Sequence, residues 1–136
     1  MSLTFHDHSQ DVVPDEREPA WYVAVIIFLA CFAAAASAVV EVFFTPFRVA
    51  GWLVPVSIAA AVVITPYLCR VAHQLTRSGW AALPAAFWLA GAGFWLWPTA
   101  ENDIVYGDNW VSLAFLFFGS IAAGIGAYRV LVVPAR

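Results

Sequence analysis

The sequence predicts an all-α membrane protein, a bundle of four transmembrane helices arranged as two helical hairpins. Apolar residues make up 63% of the 136 positions, charged residues only 11%, and the mean hydropathy is +0.83. Soluble domains carry roughly 45–50% apolar and about 25% charged residues. The apolar residues also fall into four runs that reach, or nearly reach, the roughly 20 residues a helix needs to cross ~30 Å of hydrocarbon. The predicted helices cover residues 20–44, 49–69, 79–97 and 110–133.

These runs are predicted as helices because they lack the period-two alternation of a membrane β-barrel. Residues 1–19, which precede them, are polar and acidic and contain Pro14 and Pro19. Low hydrophobicity and like charge predict a disordered cytoplasmic tail there. We therefore expect two parts: an acidic tail at 1–19 and a transmembrane domain at 20–133, with no room for a soluble domain of ordinary size.

The arginines predict how the helices are oriented. Lysine is absent, so all six cationic side chains are arginines. With four spans, both termini and the middle loop share one side, while only Arg48 lies on the other. Because Lys and Arg close to the membrane favour the cytoplasmic side, this bias predicts that both termini are cytoplasmic. The arginines on the inner side are Arg17, Arg70, Arg77, Arg129 and Arg136.

The first apolar run has an alternative interpretation as a cleaved secretory signal. Ala36-Ser37-Ala38 has the small residues of a cleavage site. However, the tail before the run is acidic rather than basic, and the apolar stretch continues past these residues. We expect the run to remain as the first helix.

Two predicted helices carry small residues at three- and four-residue spacing. Lipid is as apolar as leucine, so membrane helices associate through close packing of small residues and through polar contacts between helices. These faces predict packing either within the bundle or against another protein, and the sequence leaves that choice open. The residues are Ala30, Ala34 and Ser37 in the first helix, and Ser120, Ala122, Gly124 and Gly126 in the fourth.

Ionisable residues within membrane segments usually mark functional sites, because burying them is costly. Glu41 is the one candidate, and it falls near the outer end of the first predicted helix. Arg48 follows just beyond the Thr45-Pro46 turn. We expect Glu41 and Arg48 to form an interfacial ion pair that holds the first hairpin together. The alternative is a contact with a partner subunit or a lipid headgroup.

The outer connection at 98–109 is the longest between predicted helices and is rich in oxygen-bearing side chains. Their order does not match the EF-hand pattern of a calcium site. Asp108 or Asn109 is expected to cap the fourth helix by accepting a hydrogen bond from a free backbone amide. The candidates for contact with an extracytoplasmic partner or an ion are Glu101, Asp103, Tyr106 and Asp108.

Several function classes lack the residues they need. The sequence has no nucleophile–base pair, Gly-rich phosphate loop or metal-binding cluster, and no basic patch suited to nucleic acid. We therefore expect no enzymatic activity, cofactor, metal site or soluble small-molecule substrate.

Two segments around the third and fourth predicted helices carry a resemblance. They are Ser78-Gly79-Trp80-Ala81-Ala82-Leu83-Pro84 and, after the acidic outer connection, Gly107-Asp108-Asn109-Trp110. Across residues 48–133 the chain resembles small uncharacterised four-helix membrane proteins of actinobacteria. Its alanine- and arginine-rich, lysine-free composition is similar to that of high-GC bacterial proteins. The resemblance implies a bacterial plasma (inner) membrane and carries no catalytic residue over.

These observations lead to an expected role. Small-residue faces without catalytic patterns indicate a non-catalytic accessory or structural subunit, which packs against a larger integral membrane complex and contacts lipids. Candidate hosts are an envelope lipid transporter and a respiratory assembly. The alternative is a small homo-oligomeric transporter or channel, whose pore would have to be lined by hydroxyl groups. Those available are Ser37, Ser57, Thr65, Ser112 and Ser120.

Overall fold

The computed structural model describes residues 18–97 and 109–133, which contain four α-helices. The predicted all-α class is confirmed. Nearly all of the tail predicted at 1–19 lies outside the described residues. The helices are α1 (Ala20–Phe43), α2 (Val56–Thr76), α3 (Leu83–Phe94) and α4 (Trp110–Val132).

Three of the helices are long and apolar enough to cross a membrane. They are α1, α2 and α4, with 24, 21 and 23 residues. The third predicted helix, at 79–97, is shorter in the structure. A 3₁₀ helix (Gly79–Ala82) precedes α3, and α3 ends at Phe94 rather than at residue 97. Pro84 lies in the first turn of α3, where its missing N–H costs no hydrogen bond. Together Gly79–Phe94 spans about 26 Å, slightly less than the hydrocarbon thickness of ~30 Å.

The second helix begins at Val56 rather than at residue 49. The residues before it form a small antiparallel hairpin of β1 (Arg48–Val49) and β2 (Trp52–Leu53). Its two-residue turn is Ala50-Gly51, and both have positive φ, 50° and 84°. Pro55 then occupies the N-cap position of α2, where a residue without an N–H is tolerated.

The C-terminal end of α2 also lies further along the chain than predicted. The helix continues to Thr76 and ends where Arg77 adopts the left-handed conformation with φ 47°. Arg70 and His73 therefore lie on a helix, whereas the predicted end at residue 69 had left them in a loop. Both project from the last two turns of α2.

The helices pack most extensively as α1 with α3 and as α2 with α4. Glycines allow both close approaches. A Cβ atom at Gly91 of α3 would lie 3.2 Å from Cβ of Ala38 in α1, and one at Gly126 of α4 would lie 3.1 Å from Cα of Pro66 in α2. The core is built largely from alanines, which keeps the backbones close. The most buried of these are Ala34, Ala38, Ala61, Ala72, Ala81, Ala85, Ala92 and Ala123.

Candidate functional site

The most unusual polar feature of the bundle is the side chain of Glu41 in the last turn of α1. It is only 4% exposed. The indole Nε1 of Trp88, on α3, donates a hydrogen bond of 2.9 Å to its Oε2. The second oxygen, Oε1, is buried and has no hydrogen-bond partner among the residues that the structure describes. A buried carboxyl group with one unsatisfied oxygen is costly, and in a membrane segment it marks a candidate functional position.

Trp88 holds this carboxyl group and connects three helices. Its side chain is fully buried. While Nε1 reaches Glu41 on α1, the ring packs against Phe115 of α4 with centroids 5.4 Å apart and planes at 56°. The ring also covers Gly119 of α4, where a Cβ atom would overlap Cη2 of the indole. The hydrogen bond and the ring contacts together hold Trp88 in place.

The predicted ion pair between Glu41 and Arg48 is wrong. Arg48 is exposed on β1 and makes no ion pair with any described residue, whereas Glu41 is enclosed in the bundle. The reason is the rotation of α1. Glu41 follows Ala34 and Ala38 at helical spacing, so it shares the face that packs against the other helices. The sequence contained this signal, since the small-residue stripe predicted for packing leads directly to Glu41.

The hydroxyl groups near this site are mostly satisfied within their own helices. Ser37 Oγ donates to the carbonyl of Ala34 at 3.0 Å, and Thr45 Oγ1 donates to that of Val42 at 2.8 Å. Such local bonds are common for Ser and Thr in helices. Within the described part of the chain, buried polar atoms without a partner also include Ser57 Oγ, Thr65 Oγ1 and Trp95 Nε1. These atoms are isolated groups, and no hydrogen bond among the described residues links them into a path across the bundle.

The predicted small-residue faces divide into an inner and an outer set. Ala34, Ala122 and Gly126 are buried between the helices, and Ala30 and Ser37 are half-buried. Ser120 and Gly124 are exposed on the outside of α4, and a Cβ atom at Gly124 would have nothing within 4 Å. The first set holds this bundle together. The second set packs against no other helix in the described part of the chain.

Gly124 lines an open groove between α4 and the start of α3. The groove has a volume of about 600 Å³. Its walls are almost entirely apolar and are built mainly from small residues, so a helix backbone would be able to approach closely. The lining includes Gly79, Trp80, Leu83, Ala86, Ala123, Gly124 and Ala127.

The remaining predicted positions lie mostly in the outer connection. Glu101, Asp103, Tyr106 and Asp108 are outside the described residues, so their predicted contacts stay predictions. Asn109 is confirmed as the cap of α4, because its Oδ1 accepts a 3.0 Å hydrogen bond from the amide of Ser112. Among residues 18–97 and 109–133, no three His, Cys, Asp or Glu side chains are grouped to hold a metal ion.

Comparisons of the chain with protein-family models, with curated proteins and with solved structures find no match. The interpretation of its function therefore rests on its own residues.

Proposed function

We propose that this chain is a non-catalytic accessory or structural subunit that packs against a larger integral complex of a bacterial inner membrane. In this proposal all four helical segments cross the bilayer, including the shorter Gly79–Phe94, and both termini are cytoplasmic. The three long apolar helices support membrane insertion. The arginine distribution supports the orientation.

The observation that carries the subunit role is the groove at Gly124. Small residues usually bring helices together in membranes, and here Ala34, Ala122 and Gly126 do so within the bundle. Gly124 also belongs to a small-residue face, but this face is turned outward and lines an open apolar groove. A transmembrane helix of a partner subunit fits such a groove better than lipid tails do, because it forms backbone contacts over the small side chains.

The alternative role, a small homo-oligomeric transporter or channel, has less support. A polar path needs facing hydrogen-bonding groups at the pore. Ser120, the exposed hydroxyl next to the groove, instead donates to the carbonyl of Leu116 at 2.6 Å. Around the groove the described lining is apolar, which suits a packing surface rather than a pore.

Quantitative affinity purification in mild detergent tests the subunit role. The tagged full-length protein is compared with Gly124→Leu, which fills the groove, and with Gly93→Leu as the matched control. Gly93 also has nothing within 4 Å of a Cβ atom, but it does not line the groove. We expect one integral membrane partner to copurify with the wild type and with the control. Its recovery should fall about tenfold in Gly124→Leu, which corresponds to the loss of ~1.4 kcal/mol of packing.

Two results would count against the proposal. If the wild-type protein repeatedly recovers only further copies of itself, the homo-oligomeric alternative gains support. If both leucine variants keep the partner equally well, the partner binds another surface and the groove is not its site.

A further inference from the structure

The second groove of the bundle lies between the inner halves of α2 and α4. It has a volume of about 910 Å³. Three arginines surround its inner part. Two of them lie on the helices and the third is the residue that ends α2, and the polar side chains of His73 and Gln74 lie beside them. The arginines are Arg70, Arg77 and Arg129.

Among the described residues, no acidic side chain lines this groove to balance the arginines. The acidic side chains in the described part of the chain are Glu18, before α1, and Glu41, which is enclosed beside Trp88. All three arginines are exposed, and none makes an ion pair with a described residue. The groove thus holds a local charge of +3 without a counter-charge on its walls. Its chemistry favours an anionic occupant.

The polarity of the groove changes along the helices. Val62, Val63 and Pro66 of α2 line the part further from the arginines, and Gly126 of α4 lies beside Pro66. From Val63 to Arg70 a helix rises about 10 Å, and from Val63 to Arg77 about 21 Å. An apolar stretch of about 10 Å followed by positive charge matches part of an acyl chain and the phosphate of one lipid molecule.

Two local features place the polar end of the groove. Arg77 takes the left-handed conformation, which ends α2 and turns the chain. His73 Nδ1 lies 3.3 Å from the carbonyl oxygen of Ser78, which ties the last turn of α2 to the segment before α3. The inner end of α2 is therefore anchored, and the packing of α2 against α4 brings residues 70 and 77 to the same groove as Arg129.

We propose that this α2–α4 groove binds an anionic phospholipid, with the phosphate held by Arg70, Arg77 and Arg129 and an acyl chain lying along Val62, Val63 and Pro66. Basic pockets between transmembrane helices are known to hold such headgroups. The occupant is a lipid rather than a soluble anion, because a free phosphate would make no contact with the apolar half of the groove. It does not depend on the subunit role.

Native mass spectrometry of the full-length protein tests this assignment. The protein is equilibrated in a neutral detergent with equal amounts of phosphatidylglycerol and phosphatidylcholine, and the retained lipids are counted. We expect the wild type to retain phosphatidylglycerol selectively. The double variant Arg70→Gln/Arg129→Gln should lower the apparent affinity about 25-fold, at about fivefold for each arginine. Arg48→Gln removes one charge at the opposite end of the helices and should change nothing.

An apolar pair of variants separates lipid from soluble anions. Val63→Trp fills the groove without altering charge, and we expect it to lower retention of phosphatidylglycerol. Val56→Trp lies on the same helix outside the groove and serves as its control. Inorganic phosphate at millimolar concentration should not displace the lipid. If it does so, and Val63→Trp has no effect, the groove is a site for a free anion and the lipid assignment is wrong.

Three other results would also overturn the proposal. One is equal retention of both lipids by the wild type. Another is a loss of selectivity in Arg48→Gln that equals the loss in Arg70→Gln/Arg129→Gln. The third is that the acidic N-terminal residues, rather than a lipid, occupy the groove. This is tested by replacing Asp7, Asp11, Asp15 and Glu16 with the corresponding amides in the full-length chain. If only that variant retains phosphatidylglycerol, the tail rather than a lipid occupies the groove.

Discussion

The indole of Trp88 occupies the space that any side chain at Gly119 would need. A Cβ atom at position 119 would overlap Cη2 of the ring and would lie 2.8 Å from Cζ2. The ring is not free to move away, because its Nε1 donates a hydrogen bond to Glu41 and Phe115 packs against it. The absence of a side chain on α4 therefore allows one tryptophan to join α1, α3 and α4.

This relationship predicts that Gly119→Ala destabilises the fold. Overpacking in a well-packed core typically costs about 1–3 kcal/mol, which exceeds the gain of about 1 kcal/mol in helix propensity from Gly to Ala. The free energy of unfolding, measured by SDS titration in mixed micelles and followed by circular dichroism, should fall by the difference, up to about 2 kcal/mol. Gly124→Ala is the control, since it gains the propensity and meets no atom within 4 Å. Equal stability of the two variants would contradict the observed packing.

The hydrogen bond between Trp88 and Glu41 gives a second prediction. Trp88→Phe removes the donor and leaves both carboxyl oxygens of Glu41 buried without a described partner, so we expect a loss of about 1–3 kcal/mol beyond the smaller ring's packing loss. Glu41→Met in the same background removes the unsatisfied group and should recover part of that loss, because apolar replacement of both partners is often nearly neutral. A double-mutant cycle on the free energy of unfolding measures the coupling. A coupling energy near zero would show that the hydrogen bond contributes nothing.

The sequence was sufficient to predict the helices but not all of their ends. Apolar runs located α1 and α4 within a residue or two, and Asn109 was a recognisable cap. The start of α2 was misplaced because Trp52 and Leu53 are as apolar as the helix that follows. Composition alone cannot separate a hairpin at the interface from the first turns of a transmembrane helix. The local marker was the turn at Ala50-Gly51, followed by Pro55.

The site was only partly predictable for a different reason. Glu41 was singled out as the one ionisable candidate within the first predicted helix, but its partner was assigned by proximity in sequence. The position of a helix around its own axis decides where such a side chain points, and the spacing from Ala34 and Ala38 indicated an inward direction. The pairing of Trp88 with Gly119 depends on the register between α3 and α4, which a single sequence does not specify.

The hairpin between α1 and α2 leads to a third prediction. Ala50 has φ 50° in a two-residue turn before Gly51, a conformation that favours Asn-Gly and is unfavourable for most residues with a Cβ atom. Ala50→Asn should therefore raise the free energy of unfolding by about 0.5–1 kcal/mol in the same SDS titration. Ala50→Val should lower it, because a β-branched residue is strained at positive φ. The opposite order of the two variants would show that the turn has another geometry.

The membrane topology can be tested with single cysteines in spheroplasts. Cys31 and Cys69 are both free and buried, so they are first replaced by alanine, and cysteine is then introduced at Arg48, Gln74 or Asp103. If Gly79–Phe94 crosses the bilayer despite its length of about 26 Å, positions 48 and 103 lie outside and position 74 inside. We expect a membrane-impermeant maleimide to label Arg48→Cys and Asp103→Cys in intact spheroplasts, and Gln74→Cys only after permeabilisation. Labelling of Asp103→Cys only after permeabilisation, together with labelling of Arg48→Cys in intact cells, would show that the third segment enters the membrane without crossing it.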